Sequence, residues 1–277
     1  LMTKETKTIE LKPVNLHLDS VTIKDIEDHK KIDTVALRKD LFNINKFDAR
    51  TNSNNFSGNP FLYHYQFNNL LKCKRQDGKT IYDIYNDKEQ WDKLIDSTKK
   101  RNRGGKTAAG NVFECFRINL GSIVMFKATT AKYLYQKYNA TSVLDPTAGW
   151  GGRMLGAWSL GIDYTGIDTN IKMVDAYNNM MTFLKEESGF KNALFSDDHK
   201  SKLDMIWESA LDVDFSKLNY DFVLTSPPYV NLEIYEHMEP WESDQKFYTE
   251  FFIPLWQKCV DNIKKGGHVC FNISPKM

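Results

Sequence analysis

The sequence predicts an α/β protein built on a doubly wound, mostly parallel sheet, with a mainly helical extension before it. Three observations lead to this expectation. From about residue 129 onward, short apolar runs alternate with segments of helical periodicity. The first of those runs opens directly into a turn with three glycines, a junction typical of strand and helix in open parallel sheets. The chain before that point lacks this alternation, and residues 1–57 are rich in Lys, Asp and Asn.

Taken in order, residues 1–57 are polar, with Val35, Leu37, Leu41 and Phe42 spaced for one helix. The aromatics Phe61, Tyr63, Tyr65 and Phe67 alternate as in a strand, yet Leu70 and Leu71 continue them at helical spacing, so this segment stays undecided. Trp91, Leu94 and Ile95 share one face of a helix over 87–98, and the basic, Gly-rich run from Lys99 to Lys106 reads as a linker. A helix over 129–138, with Ala131, Leu134, Tyr135 and Tyr138 inward, precedes a first strand at 142–144. Further strands are expected at 164–167, 205–207, 222–225 and 268–273, with helices around 153–160, 170–187 and 246–264. The expected division is an N-terminal extension over 1–110, a candidate for target recognition or DNA contact, and a second domain over 111–277.

Composition narrows the function classes. With 277 residues, 41% of them hydrophobic, the chain can bury a sizeable core. Its 37 Lys plus Arg against 36 Asp plus Glu give no global basic field, so any nucleic-acid surface is local. The cysteines Cys73, Cys115, Cys259 and Cys270 are too scattered for a zinc site or a disulfide framework. No apolar signal core opens the sequence and no stretch approaches the ~20 apolar residues of a membrane span. An intracellular protein, cytoplasmic or nuclear, with no membrane partner is expected.

The glycine turn is Asp145-Pro146-Thr147-Ala148-Gly149-Trp150-Gly151-Gly152-Arg153. In a dinucleotide fold this position cradles a pyrophosphate. A carboxylate at Asp145 would repel phosphate and attract a ligand's ammonium group, directly or through water. Asp168, closing the next strand, can accept both hydroxyls of a ribose. An amino acid joined to a ribose describes S-adenosylmethionine. The segment resembles the first motif of class I S-adenosylmethionine-dependent methyltransferases, of the kind common in amino-methyltransferases, and Asp168 matches their acidic second motif. The resemblance implies a Rossmann-like fold, S-adenosylmethionine as cofactor without any metal, and cofactor contacts at Asp145, Pro146, Ala148, Gly149, Gly151 and Asp168.

A second motif follows another strand: Thr225-Ser226-Pro227-Pro228-Tyr229. Two prolines fix φ and remove two backbone donors, leaving a rigid loop of acceptors. An exocyclic amino group on a base ring is a poor nucleophile because its lone pair is delocalised. The Ser226 hydroxyl and the Pro227 carbonyl can hold its two N–H bonds and free that lone pair, while Tyr229 stacks on an extruded base. Ser-Pro-Pro-Tyr resembles the fourth motif of DNA amino-methyltransferases, where Ser is usual for N4-methylcytosine and Asp or Asn for N6-methyladenine. The implied catalytic set is Ser226, Pro227, Pro228 and Tyr229.

Supporting positions are weaker. Phe126 and Thr129, at the start of the helix before the first strand, match the family's cofactor-contacting tenth motif, although a helix cap explains Thr129 as well. Ser209, after the third strand, sits where the family lines the adenine ring, whereas Trp207 is equally a core residue. Asp197, Asp198 and His199 read as a solvated loop rather than a metal cluster. Lys100, Arg101, Arg103 and Lys106 can meet phosphates or serve as a charged linker. Asn231, Glu233, Tyr235 and His237 are candidates for base contacts. The family's sheet ends in an antiparallel hairpin after the strand expected at 268–273, and the sequence stops at Met277, so a truncated domain or one completed by a partner chain or second copy is expected. DNA is the expected partner, with cytosine N4 ahead of adenine N6. An RNA base methyltransferase and a weakly catalytic nucleic-acid-binding subunit remain alternatives.

Overall fold

In the computed structural model, which describes residues 17–48, 55–75, 77–101, 106–195, 201–228 and 241–273, five strands form a single parallel sheet. They are β1 (Ser142–Asp145), β2 (Asp163–Ile167), β3 (Leu203–Ile206), β4 (Phe222–Thr225) and β5 (His268–Phe271), in the order β3-β2-β1-β4-β5. The expected strands are all present. The third begins two residues before its expected start, because as an edge strand it tolerates Asp204.

Successive strand residues enter different cores, as the two-residue period of a strand requires. Val143, Tyr164, Phe222 and Leu224 belong to the larger cluster on one face. Leu144, Ile167 and Val223 belong to a smaller cluster on the other, closed by Leu255 and Cys259. Burial on both faces is why β1 and β4 read as short apolar runs, Val143–Leu144 and Phe222–Leu224.

The helices before the sheet are α1 (Ile23–Asp28), α2 (Thr34–Lys46), α3 (Asn59–Leu71), α4 (Ile81–Asn86), α5 (Lys88–Arg101), α6 (Ala108–Leu120) and α7 (Ala128–Lys137). Capping boxes at Thr22/Asp25 and Thr80/Asp83 start α1 and α4. The undecided aromatic segment is α3. Buried Asp40 on α2 decides it, accepting Gly58 N–H and Phe61 N–H at 2.9 Å each, with Pro60 in the first turn. The basic run is only partly a linker, since Lys99, Lys100 and Arg101 form the last turn of α5.

This extension is part of the same body as the sheet. Leu41, Leu62, Phe67 and Phe116 share one core with Val143 and Phe222. Buried Lys132 on α7 donates to the carbonyls of Ile44, Asn45 and Phe47 at 2.7–3.0 Å, closing the C-terminal end of α2. Packing therefore runs unbroken through residue 110, within the first turn of α6.

The remaining helices are α8 (Gly152–Trp158), α9 (Val174–Phe195), α10 (Asp244–Phe247) and α11 (Ile253–Asn262), with a π-helical turn over Tyr248–Phe252 between the last two. Helices α7 and α8 approach closely because Gly156 has no side chain: a Cβ there would lie 2.7 Å from that of Ala131. Among the described residues, no helix is long and apolar enough to cross a membrane.

One half-buried titratable group makes this body pH-sensitive. His29 lies against Gly110 and contacts the Thr107 hydroxyl at 3.3 Å, and burial, with Lys30 and Lys106 adding to it, lowers its pKa from 6.5 to about 4. Between those values the unfolded chain binds a proton that the folded chain does not, so stability rises with pH there. The contribution is complete above 6.5 and is lost as pH falls towards 4. The urea midpoint is expected to be lower at about pH 5 than at about pH 7, and His29→Gln to flatten that difference.

Candidate functional site

The chain runs outward from β1 to β2 to β3, then returns to place β4 on the other side of β1. The carboxyl ends of strands at such a reversal leave a crevice, the general location of ligand sites in open α/β sheets. Here the crevice is a cavity of about 720 Å³. Ordered along the sheet edge, its floor is Ser209 after β3, Asp168 after β2, the 146–149 turn after β1, Ser226–Pro228 after β4 and Asn272 after β5. With ~4.8 Å between strands, the ends of β2 and β4 lie roughly 10 Å apart.

Asp145 is fully buried and does not face this cavity. One carboxylate oxygen accepts Arg153 Nε–H at 2.6 Å and the Tyr164 hydroxyl at 2.7 Å, and the other accepts the Thr225 hydroxyl at 2.9 Å. The expectation that Asp145 attracts a ligand's ammonium group is therefore revised. Its partner was already in the motif, eight residues on, but a carboxylate after a strand reads alike whether it meets a ligand or an arginine. Burial is the largest single influence and opposes the Arg153 charge, but the charge and hydrogen bond of Asp145, together with Tyr164 and Tyr135, outweigh it and raise the Arg153 pKa.

Arg153 then shapes the turn. It donates to the Thr147 carbonyl at 2.5 Å, and its guanidinium lies 5.1 Å from the centre of the Phe126 ring. Thr147 also meets the Thr225 hydroxyl, at 2.6 Å between oxygens, joining the ends of β1 and β4. Gly149 and Gly151 hold φ of +59° and +87°. Gly152 is required by space, since a Cβ would lie 1.9 Å from the Phe126 carbonyl oxygen.

Asp168 lines the cavity, half-buried, with its two oxygens accepting Gly149 N–H at 2.8 Å and Asn170 N–H at 2.9 Å. Pro146, Ala148, Gly149, Phe126 and Ser209 also line it, and Ala148 N–H is anchored to the Ile167 carbonyl at 2.9 Å. Two expected contacts fall elsewhere. Gly151 is the N-cap of α8, backed by Met180, and Thr129 is buried with its hydroxyl donating to the Asn55 carbonyl at 2.9 Å. Helix α7 starts one residue before Thr129, with Lys127 at the cap. Trp207 packs edge-on against Tyr177, 5.5 Å between centres, at the margin of the larger core.

Ser226, Pro227 and Pro228 all line the cavity. Tyr229 lies outside the described residues, as do Arg103, Asp197, Asp198, His199, Asn231, Glu233, Tyr235 and His237. Of the basic candidates, Lys100 and Arg101 are exposed, while Lys106 pairs with Glu114. Among the described residues, no group of three or more His, Cys, Asp or Glu is placed to hold a metal ion.

The sequence reading missed Asn272, Phe251, Thr147 and Arg153, which also line the cavity. For Thr147 and Arg153 the signal was their place inside the glycine turn. Asn272 could have been found as the residue ending the strand next to Ser226. Phe251 had no local signal, because the π-helical turn that carries it breaks the 3.6-residue period.

No protein-family model and no curated protein matches the chain. Among solved structures, a Staphylococcus aureus protein provisionally named a caffeoyl-CoA O-methyltransferase is similar over 65% of this chain and 71% of its own, with 15% identity and a TM-score of 0.30. At that level of superposition nothing passes from one protein to the other.

The buried pair gives a direct expectation for stability. Arg153→Met leaves Asp145 in the core without its cation and should cost about 3–5 kcal/mol in urea unfolding. Adding Asp145→Asn removes the uncompensated charge and should recover part of that loss.

Proposed function

We propose that this protein transfers a methyl group from S-adenosylmethionine to an exocyclic amino group of a base in DNA, with cytosine N4 preferred over adenine N6. The observation that carries this reading is convergence. The glycine turn, Asp168 and the Ser-Pro-Pro turn come from separate parts of the sequence and line one cavity.

The lining fits the cofactor at two points. The Asp168 carboxylate, steadied by two backbone donors, has the chemistry to accept vicinal ribose hydroxyls. Ser209 lies beyond it, after β3, on the side where an adenine would extend. The lining also bears against the phosphate alternative. Asp145 and Arg153 neutralise each other, and the carboxylates of Asp168 and Glu208 outnumber the one remaining cation of the lining, Lys127. The volume lies within the usual range of small-molecule sites.

When bound, the cofactor supplies an electrophilic methyl group on a sulfonium. The chain's residues prepare the other reactant. The Ser226 hydroxyl and Pro227 carbonyl accept the two N–H bonds of the substrate amine and turn its lone pair out of conjugation. With the cofactor held by residues including Asp168 and Ser209, that lone pair would take its methyl group, the sulfonium would be left as a neutral thioether, and one N–H proton would pass to water. Tyr229 is proposed to stack on the base. Lys100, Arg101, Arg103 and Lys106 are proposed to meet phosphates, an interaction that added salt weakens.

The test is incubation with isotope-labelled S-adenosylmethionine and separate pools of duplex DNA, single-stranded DNA and RNA, with mass spectrometry of the nucleosides. N4-methylcytosine in DNA is the expected product, N6-methyladenine would reverse the base preference, and label in RNA alone would overturn the DNA assignment. Asp168→Ala should weaken S-adenosylmethionine binding roughly 10- to 100-fold by calorimetry, the scale of lost hydrogen bonds to a charged group. Ser226→Ala should leave that binding within about twofold and lower turnover roughly 100-fold.

A further inference from the structure

A serine hydroxyl has one hydrogen and two lone pairs and rotates freely about its C–O bond, so Ser226 does not fix by itself which of these it offers a substrate. The end of the neighbouring strand does. The β4–β5 ladder runs one residue past β5: Asn272 N–H donates to the Thr225 carbonyl at 2.8 Å, holding Asn272 beside the first residue of the Ser-Pro-Pro turn. From there Asn272 Nδ2 donates to Ser226 Oγ at 3.1 Å. The Ser226 hydroxyl in turn points to the backbone carbonyl of Asn272, at 3.5 Å. Both side chains reach the cavity.

We propose that Asn272 is a positioning residue that locks Ser226 as a hydrogen-bond acceptor towards the substrate, which makes the site selective for an N–H group. An incoming N–H occupies one Ser226 lone pair and the backbone carbonyl draws the hydroxyl proton, so the second lone pair is what an amine meets. A substrate hydroxyl would need a group that removes its proton before or during attack, and a serine held in this way does not do so. The inference rests on the amino-methylation reading and names the group that orients its key acceptor.

The test is a double-mutant cycle on the full chain. Wild type, Ser226→Ala, Asn272→Ala and the double variant are assayed with labelled S-adenosylmethionine and a single-stranded oligodeoxynucleotide containing cytosine and adenine. Calorimetry on S-adenosylmethionine and urea unfolding accompany each. Asn272→Ala is expected to lower kcat about tenfold, the loss of one hydrogen bond, with KM for the oligonucleotide and cofactor affinity within about twofold. In the Ser226→Ala background the same change should alter kcat less than about twofold. Asn272→Leu, which keeps the approximate size but whose side chain neither donates to Ser226 nor accepts its hydroxyl proton, should behave like Asn272→Ala.

Equal losses in both backgrounds, or full turnover in Asn272→Leu, would overturn the proposal while leaving the amino-methylation reading intact. A Ser226→Ala protein with unchanged turnover would overturn that reading instead. The Asn272 side-chain amide resonances report on the contact without turnover: they should shift in Ser226→Ala, and unshifted resonances would also overturn the proposal.

Discussion

The Asp145–Arg153 pair ties the glycine turn to β2, β4 and α8 at the centre of the cavity. A carboxylate with no exposure is costly unless its oxygens are filled, and here three donors fill them from three different elements: Arg153 on α8, Tyr164 on β2 and Thr225 at the end of β4. The consequence is geometric. Replacing such a pair by apolar groups of the same shape is often neutral for stability, but apolar groups cannot reach back to the Thr147 carbonyl as Arg153 does. Position of the glycine turn, more than net free energy, is what the pair contributes.

The helical extension presses on that turn from behind. Leu62 of α3 lies within 3.6 Å of the Cβ positions of both Gly151 and Gly152, and the Phe126 carbonyl excludes any side chain at Gly152. Lys132 and Thr129 of α7 hold the C-terminal end of α2 and the Asn55 carbonyl in place. Within its described residues, the first part of the chain thus serves as a wall of the α/β unit. Its basic run is partly engaged at home: Lys99 pairs with Asp19 at 2.7 Å and Lys106 with Glu114, leaving Lys100 and Arg101 outward.

Legibility in the sequence followed the range of the interaction. Strands β1, β2 and β4 were readable because local apolar runs suffice when both sheet faces are buried, and the glycine turn because positive φ is a local demand. The α3 segment was not, because the residue that caps it is Asp40, about 20 positions away and on another helix. Asp145 was misassigned for the opposite reason: its partner is near in sequence, but which side of the turn faces solvent is set by the fold. Thr129 was read as a cap or a cofactor contact, and its burial against Asn55 depends on a segment more than 70 residues earlier.

The distribution of charge along the cavity bears on the chemistry. Its ionisable lining residues, Lys127, Arg153, Asp168 and Glu208, belong to the α7 start, the glycine turn and the ends of β2 and β3. Around the Ser-Pro-Pro turn the described lining is neutral: Ser226, Pro227, Pro228, Phe251 and Asn272. A neutral wall suits a reaction whose nucleophile attacks through a lone pair and loses its proton only afterwards. In the proposed amino-methylation, the methylated nitrogen would carry a positive charge next to an electron-poor ring, and water would be base enough to take its proton. Under the proposed function, a carboxylate or imidazole at this end would add little, whereas acceptors fixed in direction set the rate through the geometry of attack.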